Sequence, residues 1–187
     1  MKIAFTGTSS TGKTTLAVRL IKNPEFTSKV PEFVAVDARA LLDELGFRSM
    51  DKMTRGQSRE FQQLYFRRKI EIESGRESFL TDRSFVDIAA YWVCRDTFDL
   101  SEAEQRLLLD PCRHATKKYD IHFYFPSGLI VFEHDGYRSD DIEFHMRIDR
   151  CILRYLVEWQ IPYVTIVESD INKRIETVLG VVKDLRP

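Results

Sequence analysis

The sequence predicts an α/β protein of three layers, a five-stranded parallel sheet with helices on both faces. Three observations predict it. Five short β-prone runs alternate along the chain with stretches of helical period, and parallel neighbours require such crossovers. A glycine-rich loop separates the first strand directly from the first helix. Composition completes the case: 43% hydrophobic and 30% charged residues over 187 positions suit one packed core, and no repeat or Pro/Gly-rich linker divides them. Residues 1–187 are therefore expected to form one domain.

The elements follow in order. Lys2 to Thr6 reads as a strand, Gly7 to Gly12 as a loop, and Lys13 to Ile21 as a helix whose Leu16, Val18 and Leu20 pack on a sheet. Lys29 to Phe33 is a second strand, and Asp37 to Leu45 a helix stopped by Gly46. Gln57 to Ser74 is amphipathic, with Phe61, Leu64, Tyr65 and Ile72 at helical spacing among charged residues. Ser78 to Thr81 is the third strand, and Phe85, Ile88, Ala89 and Trp92 mark a helix over Ser84 to Arg95. Ser101-x-x-Glu104 matches a capping box at the head of a further helix, which Pro111 is expected to interrupt. Asp120 to Phe125 and Tyr163 to Val167 are the last two strands. Apolar stripes through Ile148 to Trp159 and Ile171 to Val182 mark the final helices.

Composition also excludes function classes. With 28 Lys+Arg against 29 Asp+Glu, the net charge of -1 gives no bulk attraction to nucleic acid or to a membrane surface. The longest run without a polar residue, Ile88 to Cys94, is far shorter than the roughly 20 apolar residues of a membrane span. The amino terminus has no apolar signal segment. Cys94, Cys112 and Cys151 are odd in number and form no CxxC pair, and the four histidines lack metal-ligand spacing, so a cytoplasmic protein without a disulfide framework or zinc site is expected.

Chemistry is concentrated in the first loop. Gly7-Thr8-Ser9-Ser10-Thr11-Gly12-Lys13-Thr14, followed by Thr15, satisfies G-x-x-x-x-G-K-[ST], the phosphate-binding P-loop pattern, in its required place between strand and helix. Glycines let the backbone curl so that N–H groups converge, and the helix N-terminus adds partial positive charge. The expected guest is a polyphosphate, a nucleoside triphosphate with ATP favoured although nothing near the loop distinguishes adenine from guanine, with Lys13 reaching the β- and γ-phosphates and the Thr14 hydroxyl ligating Mg2+. A dinucleotide fingerprint would need glycine where Ser9 stands. The guanine-reading signature of GTPases is absent, the end of the last strand being Val167-Glu168-Ser169-Asp170.

In open parallel sheets, ligands lie beyond the carboxyl ends of the strands. Thr81-Asp82-Arg83-Ser84 follows one apolar run and Val30-Pro31-Glu32 another. Two readings are open for each acid. Asp82 suits a water-mediated Mg2+ site, beside an Arg83 that neutralises phosphoryl charge, or a helix cap. Glu32 suits a base for an acceptor hydroxyl or a solvated turn acid. The six arginines between Arg48 and Arg76 either read a phosphate of the acceptor or balance neighbouring glutamates.

The P-loop, Pro31-Glu32, the Phe61-Gln62 helix leading to Glu73, the run Thr81-Asp82-Arg83-Ser84-Phe85-Val86-Asp87 and Asp135-Gly136-Tyr137-Arg138 together resemble the nicotinamide riboside kinase-like P-loop ATPases, relatives of deoxynucleoside and thymidylate kinases. The resemblance covers most of the chain. It implies Mg2+-dependent transfer of the ATP γ-phosphate to a nucleoside, nucleotide or related small acceptor. It also implies a lid over about 127–147 that supplies Arg138 and Arg147, Mg2+ chemistry at Asp82 with Arg83, and an acceptor base at Glu32. One departure is visible: relatives often place an arginine two or three residues after the acid, whereas here Phe33 to Ala38 intervene before Arg39. Two alternatives share the same loop, a regulatory ATPase with no small acceptor and a kinase acting on a modified base in DNA.

Overall fold

The structure, a computed structural model, describes residues 1–96, 99–130 and 141–185. Five strands, β1 (Lys2–Thr6), β2 (Glu32–Val34), β3 (Phe79–Asp82), β4 (Ile121–Tyr124) and β5 (Tyr163–Thr165), form one sheet in the order β2-β3-β1-β4-β5. All neighbours are parallel. The helices are α1 (Lys13–Leu20), α2 (Pro24–Thr27), α3 (Ala38–Glu44), α4 (Arg55–Glu73), α5 (Phe85–Asp96), α6 (Glu102–Thr116), α7 (Ile142–Glu158) and α8 (Ile171–Asp184). The expected architecture of a five-stranded parallel sheet between helical layers is the one found.

Alternation along the strands divides the interior into two cores. On one face Ile3 and Phe5 meet Leu16 and Leu20 of α1, Phe26 of α2 and Val178 and Val182 of α8. On the other, Ala4 faces a larger core containing Phe61 and Tyr65 of α4, Phe85 and Ala89 of α5, and Ile148 and Ile152 of α7. Helix α5 packs against α4, α6 and α7 at once. Its run of buried Phe85, Val86, Ala89 and Ala90 is what a helix enclosed by neighbours requires.

A buried polar cluster joins α4 to the sheet. Lys69 Nζ lies 2.7 Å from Glu73 Oε1 and donates to Thr81 Oγ1 on β3 at 2.7 Å. Tyr119, just before β4, donates to Glu73 Oε2 at 2.8 Å, and Lys118 Nζ stands 2.7 Å from the same oxygen. Burial draws the Lys69 ammonium below its ordinary range, and Glu73 opposes that shift.

Four details depart from expectation. Asn23 caps α2 by accepting from the Glu25 and Phe26 N–H groups, a helix that Asn-Pro at positions 23 and 24 signals and that the sequence reading missed. It delays the second strand, so β2 begins at Glu32 rather than Lys29. Helix α4 starts at Arg55, two residues early, because Thr54 and Gln57 form a reciprocal capping box. Pro111 does not interrupt α6: the proline lies on the exposed side, and Leu108, Cys112 and Thr116 keep a continuous buried face that outweighs the missing hydrogen bond. The Ser101–Glu104 capping box stands at the head of α6 as expected.

Register decides which residues meet. Phe5 pairs with Asp82 and Thr6 with Tyr124, so the loop after β1 emerges beside the carboxyl ends of β3 and β4. Glu32 pairs with Phe79, at the opposite end of the sheet. Of the lid expected over 127–147, residues 131–140, Arg138 among them, lie outside the described residues, and 142–147 form the start of α7.

Candidate active site

The loop from Gly7 to Gly12 takes its shape from three residues of positive φ, Gly7 (154°), Ser10 (58°) and Gly12 (80°). Such alternation lets successive N–H groups converge into an anion-binding nest. Both glycines also have close neighbours, backbone at Gly7 and side-chain ends at Gly12. A Cβ on Gly7 would come within 2.5 Å of the Phe125 carbonyl oxygen, and one on Gly12 within 2.9 Å of Arg174 Nη1. Helix α1 opens at Gly12 without a side-chain cap. Lys13 folds back over the loop, donating to the Thr8 carbonyl at 2.6 Å and Thr11 Oγ1 at 2.9 Å. Burial, reinforced by the nearby Arg83 guanidinium, lowers its ammonium to about 8. These contacts keep an otherwise poorly solvated charge at the loop's centre.

Asp82, at the carboxyl end of β3, accepts through Oδ2 from the Thr14 hydroxyl. Its Oδ1 is buried and has no hydrogen-bond partner among the described residues. A hydroxyl beside an orphaned carboxylate oxygen is a donor set for a hard cation that shares its shell with phosphates and water, so Thr14 and Asp82 fit Mg2+. Arg83 follows in a left-handed conformation, φ 67°, donates to Ser9 Oγ at 3.2 Å and stacks 5.1 Å from the Tyr91 ring centroid. Burial alone would raise the Tyr91 phenol. The Arg83 guanidinium and the Ser9 and Thr8 hydroxyls outweigh it and bring the group to about 8.

Three residues with no role in the sequence reading hold the loop. Asp87 on α5, 1% exposed, accepts from the Gly7 N–H at 2.9 Å and the Ser84 N–H at 2.7 Å, tying the loop to the β3–α5 turn. Arg174 on α8 donates to the Thr11 carbonyl at 2.8 Å and the Glu168 carbonyl at 2.6 Å. His145 on α7 lies 3.0 Å from Thr8 Oγ1 through Nδ1. The signals were present: Asp87 interrupts an apolar run, and Arg174 stands four residues before Val178 on the buried stripe of α8.

Beyond the loop a cavity of about 550 Å³ opens between α3, α4, α5 and the start of α7. Ser9, Thr14, Asp82 and Arg83 form its phosphate end. Phe33, Phe61, Tyr65, Tyr91 and Phe144 supply aromatic walls, and Asp37, Arg39, Gln62 and Arg95 the polar groups. Glu32 is not among them. It opens β2 instead of following it and is paired with Arg76 at the far end of the sheet; the acid that lines the cavity beyond β2, beside Asp82 and Asp87, is Asp37, three residues past the strand and at the N-cap of α3. Arg147 occupies the second turn of α7, 3.7 Å from Asp141 and 5.7 Å from the Phe144 ring centroid, and does not line the cavity. Of the arginines on α4, Arg55 and Arg59 face Asp99, and Arg68 faces Glu44 and Glu71.

A family model described as an AAA domain matches residues 2–174. The chain belongs to that family. In fold, this AAA-domain protein is similar to deoxyadenosine kinase from M. mycoides with products dCMP and a flexible dCDP bound (TM-score 0.69, 14% identity, 100% of each chain covered). It is also similar to thymidylate kinase from Ehrlichia chaffeensis (TM-score 0.65, 16% identity, 98% of each chain). NadR protein in complex with NR shares the fold at a TM-score of 0.70 and 17% identity, over 100% of this chain and 52% of that one. These are the groups that the motifs resemble. No curated protein matches the chain significantly. No helix among the described residues is long and apolar enough to cross a membrane.

Proposed function

We propose that this AAA-domain protein is a cytoplasmic phosphotransferase that moves the γ-phosphate of ATP, with Mg2+, to a hydroxyl or phosphate of a nucleoside-like acceptor. One observation carries the reading: a phosphate-binding loop opens directly into a half-enclosed, aromatic-walled cavity of about 550 Å³. A regulatory ATPase needs only the loop, whereas a cavity of this size and lining supports a second small substrate. The kinase folds that the chain resembles support the same reading. The pairing of Arg55, Arg59 and Arg68 with acids argues for a small acceptor over nucleic acid.

On this reading Lys13 exchanges the Thr8 carbonyl and the Thr11 hydroxyl for phosphate oxygens. Thr14 and Asp82 hold Mg2+, which when bound supplies charge neutralisation and Lewis-acid polarisation at the phosphates. Arg83, braced by Ser9 and Tyr91, meets the charge on the transferring group. Asp37 takes the role that resemblance gave to Glu32, accepting the proton of the acceptor hydroxyl. Gln62, 4% exposed on the cavity wall, offers an amide to the acceptor's ring. Arg138 remains the proposed lid cation, and Arg147 would have to leave Asp141 and Phe144 to join it.

Labelled ATP offered with a panel of nucleosides, nucleotides and duplex DNA bearing hydroxymethylated bases tests the proposal. Lys13→Ala should lower transfer about a hundredfold or more, as loss of a preorganised electrostatic contact does. Asp82→Asn should depress transfer and background hydrolysis together and raise the Mg2+ requirement. Asp37→Asn keeps a good helix cap and should depress transfer alone, by roughly 10²- to 10⁴-fold. Glu32→Gln should change neither reaction. Label that passes only to water would favour the regulatory ATPase, and label found in DNA the modified-base kinase.

A further inference from the structure

One wall of the cavity is a single face of α5, where Asp87, Tyr91 and Arg95 recur every four residues. From Asp87 to Arg95 this strip rises roughly 12 Å, at about 1.5 Å per residue, commensurate with a nucleoside lying along it. Asp87 marks the phosphate end through its bond to Gly7, so Arg95 marks the end remote from the reacting oxygen.

Arg95 is unusual in what it leaves unused. Its Nη1 donates to Asp51 Oδ1 at 2.9 Å, and its guanidinium stacks 4.5 Å from the Phe144 ring centroid. The side chain is only 14% exposed. Yet its Nε–H is buried with no hydrogen-bond partner among the described residues. A buried donor left unpaired is costly, and native proteins rarely keep one unless something else completes it. Asp51 already balances the guanidinium charge, so the unfilled position calls for a neutral oxygen more than for an anion. Phe61 offers aromatic surface in the same cavity, and Gln62 can both donate and accept, which matches the N–H/C=O edge of a lactam ring.

Resting on the phosphotransferase reading, we propose that Arg95 determines acceptor specificity, its Nε–H donating to a ring carbonyl, so that the acceptor carries an oxo-substituted heterocycle rather than its amino-substituted counterpart. An amino group in that place sets donor against donor and leaves both unsatisfied, the kind of mismatch that binding sites reject strongly.

The test compares kcat/KM for inosine against adenosine and for uridine against cytidine, as nucleosides and as 5′-monophosphates, in the wild type, Arg95→Met and Arg95→Lys. Lysine retains the charge facing Asp51 but lacks the Nε–H, so it serves if the methionine variant fails to fold. An ATP-induced thermal shift in each variant establishes an intact loop. Preference for the oxo member of each pair by about tenfold or more, lost in both variants, is the expected result. Transfer without that preference, or a preference that survives both substitutions, overturns the role of Arg95 and leaves the phosphotransferase reading standing. Absence of transfer to every acceptor overturns both.

Discussion

Lys13 illustrates how a single side chain links burial to pH. Its ammonium is lowered to about 8 in the free protein, mainly by burial, whereas a lysine in the unfolded chain titrates at about 10.4. Between those values the unfolded state binds the extra proton, so this group's contribution to stability grows as pH rises through the window. ATP reverses the preference, because phosphates favour the charged form. Affinity for ATP should therefore hold up to about pH 8 and then fall, approaching tenfold per pH unit, in calorimetric titrations from pH 7 to 9.5. Tyr91, also at about 8, is the competing group; a decline that vanishes in Tyr91→Phe would assign the effect to the phenol instead. The two loop glycines make a second comparison. Gly7→Ala sets a methyl group against the backbone oxygen of Phe125, which cannot retreat, whereas Gly12→Ala meets the ends of the Arg174 and Ile130 side chains. Both positions have positive φ, but Gly7→Ala should be the more damaging to stability and to ATP binding, read by urea denaturation and nucleotide titration.

Helix α4 is secured to β3 and to the segment before β4 by charge buried at its carboxyl end. Lys69 and Glu73 have side-chain exposures of 1% and 0%, so removing the anion strands a cation in the core. Breaking a buried pair in this way costs about 3–5 kcal/mol, and Glu73→Gln should lose an amount of that order in urea unfolding. The Arg154–Glu158 pair on α7 is half exposed on both sides. Glu158→Gln should move stability by no more than about 0.5 kcal/mol. Comparable losses in the two variants would show that Glu73 is not acting through its charge. The same cluster reaches the site, because Thr81, which receives Lys69, directly precedes Asp82 on β3.

Across the molecule, the loop is where both cores meet. Gly7 is held by Asp87 from the α5 side, Thr11 by Arg174 from the α8 side, and Thr8 is in contact with His145 of α7. A nucleotide bound at this junction should stabilise the whole fold and not the loop alone. At ATP and Mg2+ about a hundredfold above the dissociation constant the gain is about 2.7 kcal/mol, which for a chain of this length raises Tm by roughly 5–10 °C. Differential scanning calorimetry should record that rise for the wild type and little of it for Lys13→Ala. A shift of equal size in both proteins would mean that the phosphates are held elsewhere.

Periodicity and a contiguous motif were enough to read the parallel α/β fold, its five strands, most helices and the Gly7–Thr15 loop, because each depends on residues close together in the chain. The Asp82-Arg83 turn was legible for the same reason. Contacts made across the sheet were not. Glu32 looked like an acid at the end of a strand, but a four-residue helix at Pro24 moves the strand's start, and register then carries Glu32 to the wrong end of the sheet and brings Asp37 to the right one. Asp87, Arg174 and His145 come from three helices distant in sequence, and only packing brings them to one loop. The cavity itself belongs to this second kind of information. Its walls come from α3, α4, α5 and α7, and the unpartnered Nε–H of Arg95 acquires meaning only once those walls enclose it. Local pattern determines elements because hydrogen bonding and side-chain period act over a few residues. The acceptor site depends on desolvation and on distance in space, which the chain acquires only when the layers close.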